Sequence, residues 1–138
     1  MKKEKKLKGL DRRYDAELPT SIDVGVIEII PYDYKGKMTV IEIDTNEFTA
    51  VCPYSGLPDF GRLQIHYIPQ DRLIELRSLK YYLHSFRNVG IYQEHVVQRI
   101  LHDLVPRVRP LWIAIELDYN VRGGVHTVAR AERGRRKM

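Results

Sequence analysis

Residues 111–119 carry the pattern that most limits what this chain can fold into. Leu111, Ile113, Ile115, Leu117 and Tyr119 alternate with Trp112, Ala114, Glu116 and Asp118. Successive side chains of an extended chain point to opposite faces, so a period of two predicts a strand with one buried and one solvated face. Antiparallel sheets tolerate such a wet face, whereas parallel strands are buried on both sides. Two helical stripes precede this strand. Leu79, Tyr82, Leu83 and Phe86 recur at helical spacing, as do Val96, Val97, Ile100, Leu101, Leu104 and Val105. Pro106 is expected to stop the second helix, and Asn88-Val89-Gly90 separates the two.

Further strands are expected on both sides of the helices. Met38 to Ile43 is β-branched, and Glu47 to Val51 is a second extended piece running into Cys52-Pro53. Proline biases Cys52 itself toward an extended backbone. Tyr54 to Asp59 reads as a turn-rich loop. Arg62 to Ile68 reads as a strand ended by Pro69-Gln70-Asp71. After 119, Arg122-Gly123-Gly124 reads as a turn and Val125 to Ala129 as a returning strand. Strands, two helices, then strands make an α+β protein with an antiparallel sheet rather than alternating βαβ units. No G-x-G-x-x-G follows a strand, so a Rossmann dinucleotide site is not expected.

A chain of 138 residues suggests one domain. Residues 1–20 are expected to be a basic, poorly ordered tail, 21–129 a single catalytic domain, and 130–138 a second basic tail. Residues 1–13 hold seven Lys/Arg against two acids, and 130–138 five against one, so the net charge of +5 belongs to the ends. The body between them is slightly acidic, unlike the basic folded face of a typical nucleic-acid-binding domain. The apolar runs are a few residues long, against the roughly 20 a membrane-spanning helix needs. The charged Met1–Lys6 start, with no apolar segment after it, predicts no secretory leader and a cytoplasmic protein.

Cys52 is the sole cysteine, so neither an intramolecular disulfide nor a multi-cysteine zinc site is expected. It reads either as a small buried hydrophobe or, where a strand enters a Pro/Gly loop, as a nucleophile. Asp59, seven residues on, is either a plain turn residue or a carboxyl standing near the sulfur as proton donor or acceptor. Glu94 opens the second helix, where a carboxylate favours the positive dipole end. A carboxylate there also suits two hydrogen bonds from the N–H/NH₂ edge of a guanine-like base, and Glu75 shows the same ambiguity before the first helix. Arg77 and Lys80 share a helix face, as a solvated surface or a phosphate clamp. His66, His84, His95, His102 and His126 show no metal-ligand spacing, so no metal site is expected.

Glu75-Leu76-Arg77-Ser78-Leu79-Lys80-Tyr81-Tyr82-Leu83-His84-Ser85-Phe86-Arg87-Asn88 resembles the signature helix of the single-domain, NADPH-dependent 7-cyano-7-deazaguanine reductases, the nitrile reductases of queuosine biosynthesis. Phe48 to Pro53 with Gly56 to Phe60 resembles that family's nucleophile loop, and Arg122-Gly123-Gly124 its late R-G-G. The resemblance implies a tunnelling fold (T-fold), an antiparallel sheet with two helices on one face. It implies pentameric rings stacked as homodecamers, with active sites at subunit interfaces. It assigns Cys52 as the nucleophile that forms a covalent thioimide and Asp59 as the proton donor. Ile74, Glu75, Leu76, Gln93 and Glu94 are implied to bind the deazaguanine nitrile. Arg77, Lys80 and Arg122 are implied to hold the phosphates of NADPH. Direct tRNA binding is not expected.

Three departures from the family pattern stand out. Gln93 replaces the histidine usual before the substrate glutamate, and an amide cannot titrate near neutrality. Arg77 replaces a lysine with the charge kept. Leu76 stands where serine is common. Two other readings compete. Archaeosine-type amidinotransferases share the Cys/Asp loop but add ammonia to a tRNA-borne nitrile, and a non-catalytic RNA-binding T-fold protein would keep the scaffold alone.

Overall fold

The computed structural model describes residues 13–136. Residues 1–12 and 137–138, the outer parts of the expected tails, lie outside the described residues. Six strands and two α-helices follow in order: β1 (Ile29–Pro31), β2 (Ile41–Val51), β3 (Pro58–Ile68), β4 (Arg72–Ile74), α1 (Leu76–His84), α2 (Gln93–Val108), β5 (Trp112–Tyr119) and β6 (Val128–Gly134). The main sheet is antiparallel in the order β2-β3-β5-β6, and β1 pairs with β4 in a two-stranded antiparallel ribbon. The chain is therefore α+β.

The alternation in β5 does what its period predicts. Ile113, Ile115, Leu117 and Tyr119 are buried toward the helices, and Ala114, Glu116 and Asp118 face outward. Leu63, Ile65 and Tyr67 of β3 lie opposite Leu117, Ile115 and Ile113, so one apolar face runs across both strands. Val96, Val97, Ile100, Leu101 and Leu104 of α2 cover it in a continuous core with Leu79, Tyr82 and Phe86. Tyr82 and Phe86 meet edge to face at 5.3 Å, and Phe86 reaches Phe48 of β2 at 5.4 Å. Aromatic pairs of this kind contribute about 0.5–1.5 kcal/mol beyond their buried area.

One buried polar cluster ties the helices together. Tyr82 Oη donates to Asp103 Oδ2 at 2.6 Å, and Arg99 Nε donates to the same oxygen at 2.8 Å. Burial, first, and then the Asp103 carboxylate push the Tyr82 phenol well above its ordinary pKa, so it stays a donor.

Several boundaries differ from expectation. The two pieces at 38–43 and 47–51 are one strand: pairing begins at Ile41 opposite Tyr67, and a register shift between Thr45 and Phe48 absorbs the break in pattern. Met38 to Val40 stay in the preceding loop, where Tyr32 Oη donates to the Lys37 carbonyl at 2.7 Å. Asp59 is not in the loop but inside β3, paired with Ala50. Pro106 does not end α2, which runs on to Val108. A proline so near the end forfeits one hydrogen bond, and Arg72 Nη1 secures the last turn by donating to the Arg107 carbonyl at 2.9 Å. Arg109 closes the helix at φ 50°, its N–H donating to the Val105 carbonyl. The returning strand spans Val128–Gly134 rather than 125–129, paired with β5 as far as Gly134 opposite Trp112. Residues 13–20, expected to be disordered, make backbone hydrogen bonds to the body of the fold.

Candidate active site

The expected nucleophile loop lies at the turn of the β2–β3 hairpin. Cys52 N–H donates to the Leu57 carbonyl at 2.9 Å, and Gly56 N–H donates back to the Cys52 carbonyl at 2.8 Å. This curl brings Ser55 and Tyr54 back toward the sulfur. The Ser55 N–H, the Ser55 hydroxyl and the Tyr54 N–H favour the charged form of Cys52. The Ser55 N–H is the largest influence; with the other donors it outweighs partial burial and the nearby Asp59 carboxylate, and holds the thiol below its ordinary pKa. Hydrogen bonds to the charged form favour the thiolate, the attacking species.

Asp59 enters from the other arm of the hairpin. It is 4% exposed, its side chain on the buried face of β3. Arg122 donates to Asp59 Oδ1 from the far end of β5. A tight turn presents that arginine: Arg122 and Val125 exchange backbone hydrogen bonds of 3.0 and 2.9 Å around Gly123 and Gly124. Both glycines have positive φ, 57° and 77°, as a two-residue hairpin turn of the primed type requires.

Gln93 and Glu94 open α2. Glu94 is exposed and makes no hydrogen bond or ion pair among the described residues. Tyr119 joins this helix end to Asp59. Its ring lies across Gly61, where an added Cβ would stand 3.3 Å from Tyr119 Cδ1. Its hydroxyl donates to the Gln93 carbonyl at 3.0 Å. Burial, first, and then the carboxylates of Asp59 and Glu94 raise the Tyr119 pKa. Sequence reasoning missed Tyr119 as anything but a core residue; the glycine opposite it was the available signal.

The other expected residues lie apart within the chain. Ile74 is buried, and its N–H donates to the Tyr67 hydroxyl oxygen at 3.0 Å. Glu75 caps α1: its carboxylate accepts from the N–H groups of Arg77 at 2.9 Å and Ser78 at 2.7 Å. The Ser78 N–H is the largest cause of its lowered pKa. Leu76 is exposed and, with Lys80, lines a groove of about 640 Å³ between α1 and β2. Phe48, Phe60, Leu79 and Leu83 give that groove an apolar floor, and Arg87 and His84 add to its rim. Arg77 and Lys80 form no ion pair among the described residues, and Arg122 is engaged with Asp59.

An antiparallel α+β sheet of this topology, with a cysteine at the β2–β3 turn and a buried carboxyl on the other arm, defines a T-fold protein. The structure resembles the crystal structure of an archaeosine synthase QueF-Like in the apo form, with a TM-score of 0.64 and 23% identity over 69% of this chain and 93% of that one. A family profile described as QueF-like protein matches residues 58–138. The NADPH-dependent 7-cyano-7-deazaguanine reductase of Caldicellulosiruptor bescii is 52% identical over 124 residues, 88% of this chain and 95% of that protein. Those named identically from Thermoanaerobacter pseudethanolicus and Thermotoga maritima are 50% and 46% identical, over 89% and 86% of this chain and 94% and 86% of theirs. The chain belongs to the QueF-like family, on the branch of its 7-cyano-7-deazaguanine reductases.

Proposed function

We infer that the chain reduces the nitrile of 7-cyano-7-deazaguanine to the primary amine with NADPH, a step of queuosine biosynthesis. The observation that carries this is Cys52 curled into the turn of the β2–β3 hairpin, with the buried Asp59 on its other arm. A nitrile carbon is electrophilic, and a thiolate is the side chain suited to attack it. The Asp59 carboxylate takes the Cys52 thiol proton as Sγ bonds to that carbon, the displaced π electrons go to nitrogen, and Asp59 passes the proton on to nitrogen, giving a thioimide. Glu94, unpaired at the mouth of α2, accepts the N–H/NH₂ edge of the base. Gln93 adds an amide that hydrogen-bonds without carrying protons, and its carbonyl is fixed by Tyr119.

The residues fit NADPH. Arg77 and Lys80, unpaired among the described residues, offer cations beside an apolar groove, which suits phosphates and a flat ring without a Rossmann loop. When bound, NADPH supplies hydride, two equivalents per nitrile. Cys52 would be the group released as thiolate once the thioimide is reduced, and Asp59 would return protons to nitrogen. Ile74, Glu75 and Leu76 serve the base from a different part of the surface. A second copy of the chain set against the groove would unite them with Cys52, as stacked pentameric rings with interfacial sites would do. A cytoplasmic enzyme acting on the free base accords with the absence, among the described residues, of a helix long and apolar enough to cross a membrane.

Product analysis separates this reading from amidine formation. With 7-cyano-7-deazaguanine, NADPH and ammonium together, the aminomethyl product is expected with NADPH loss. An amidine formed at unchanged NADPH would overturn it.

A further inference from the structure

The segment before the fold proper crosses the nucleophile loop. Tyr14 N–H donates to the Ser55 carbonyl at 2.8 Å. Arg13 lies over the Tyr54 ring at 4.0 Å and donates to its hydroxyl. Gly56 has φ +72°, and a Cβ there would overlap the Tyr14 carbonyl oxygen and stand 2.9 Å from Tyr14 Cβ. The approach thus requires glycine at 56 for space as well as for conformation.

The same segment also grips the approach to α2. Glu17 N–H donates to the Asn88 carbonyl, and Gly90 N–H donates to the Glu17 carbonyl, both at 2.8 Å. On the other side of that stretch, Val51 N–H donates to the Val89 carbonyl at 3.0 Å, and Ile91 N–H to the Val51 carbonyl at 3.1 Å. A Cβ on Gly90 would lie 3.1 Å from both Ala16 Cβ and Pro53 Cα. Residues 13–17 therefore touch both Tyr54-Ser55-Gly56, which carries the donors to Cys52, and Asn88-Val89-Gly90, which leads to Glu94.

We propose that Arg13–Glu17 is a positioning strap: it clamps the Ser55–Gly56 peptide so that the loop stays curled around Cys52 and in register with the start of α2. The Ser55–Gly56 peptide is then held from two sides, by Tyr14 N–H at its carbonyl and by the Cys52 carbonyl at its N–H. Without the strap one hold is gone, and the loop is free to turn its N–H groups to water. The idea rests on Cys52 as the nucleophile, yet it speaks of the sulfur's surroundings and not of the nitrile.

The test is the pH dependence of Cys52 alkylation by iodoacetamide on the full chain, which needs neither substrate nor NADPH. Tyr14→Pro deletes the N–H that reaches the Ser55 carbonyl, whereas Tyr14→Ala keeps it. Tyr14→Pro is expected to move the alkylation midpoint upward and slow the reaction at pH 7 by roughly three- to tenfold, because the thiolate is the attacking species. Tyr14→Ala is expected to keep the parent midpoint. Identical profiles for Tyr14→Pro and the parent would overturn the strap. Amide exchange of the parent chain gives an independent reading. Tyr14, Glu17 and Gly90 amides are expected to be protected together with Gly56, and free exchange at Tyr14 would overturn the proposal even if the proline variant does not fold. Nitrile-dependent NADPH oxidation tests the nucleophile reading separately.

Discussion

Arg122 donates to Asp59 Oδ1, joining the turn beyond β5 to the first residues of β3. An arginine expected to hold cofactor phosphate thus stands first of all on the expected proton donor. Arg122→Met should therefore lower kcat by about 10- to 100-fold through misplacement of Asp59, besides weakening NADPH binding. A rise in the KM for NADPH with kcat intact would assign Arg122 to the cofactor alone. Steady-state kinetics at saturating nitrile reads the difference.

The depressed pKa of Cys52 makes a claim about pH. Its donors favour the thiolate in the folded state, so the folded value lies below that of the unfolded chain. The associated stabilisation is present above the unfolded thiol's pKa and is lost as pH falls through the folded one. Alkylation should accordingly reach half its maximal rate at a lower pH in the native protein than in urea. Ser55→Ala, which removes one donor, should move the native midpoint part of the way back.

Tyr119 is expected to place the substrate side of the site. Tyr119→Phe leaves the Gln93 carbonyl without its donor at the cost of about 1 kcal/mol in stability. The shift this allows at the start of α2 should raise the KM for the nitrile several-fold and change kcat less. Equal losses in kcat and kcat/KM would instead give the phenol a part in the chemical step.

Asp103 anchors α1 to α2 away from the site. Asp103→Ala strands the buried Tyr82 hydroxyl and the Arg99 guanidinium, and should cost about 3 kcal/mol, since the arginine side keeps some access to water. Urea unfolding measures it. A loss under about 1 kcal/mol would show that the cluster contributes little.

The sheet and the helix faces were legible because period two in 111–119 and helical spacing in 79–86 and 96–105 report burial directly. The turn after Cys52 was legible from its prolines and glycine. Its far boundary was not, because Pro58 and Asp59 look like turn residues yet are paired to Val51 and Ala50 by register. The short β1–β4 ribbon was missed, since three-residue strands carry no period to detect. The strap was read as a tail on its charge and on Pro19, since hydrogen bonds from backbone to a distant loop leave no mark on composition. Tyr119 and Arg122 gained their neighbours from strand register, which a single sequence does not display.

The central claim is that Cys52 carries the nitrile chemistry. The most direct measurement is NADPH consumption with 7-cyano-7-deazaguanine for the parent and Cys52→Ala, with intact mass on the same samples. Two NADPH lost per nitrile by the parent, none by Cys52→Ala, and a nitrile-sized mass increase on the parent alone in the absence of NADPH are the expected results. Turnover undiminished in Cys52→Ala would contradict the account.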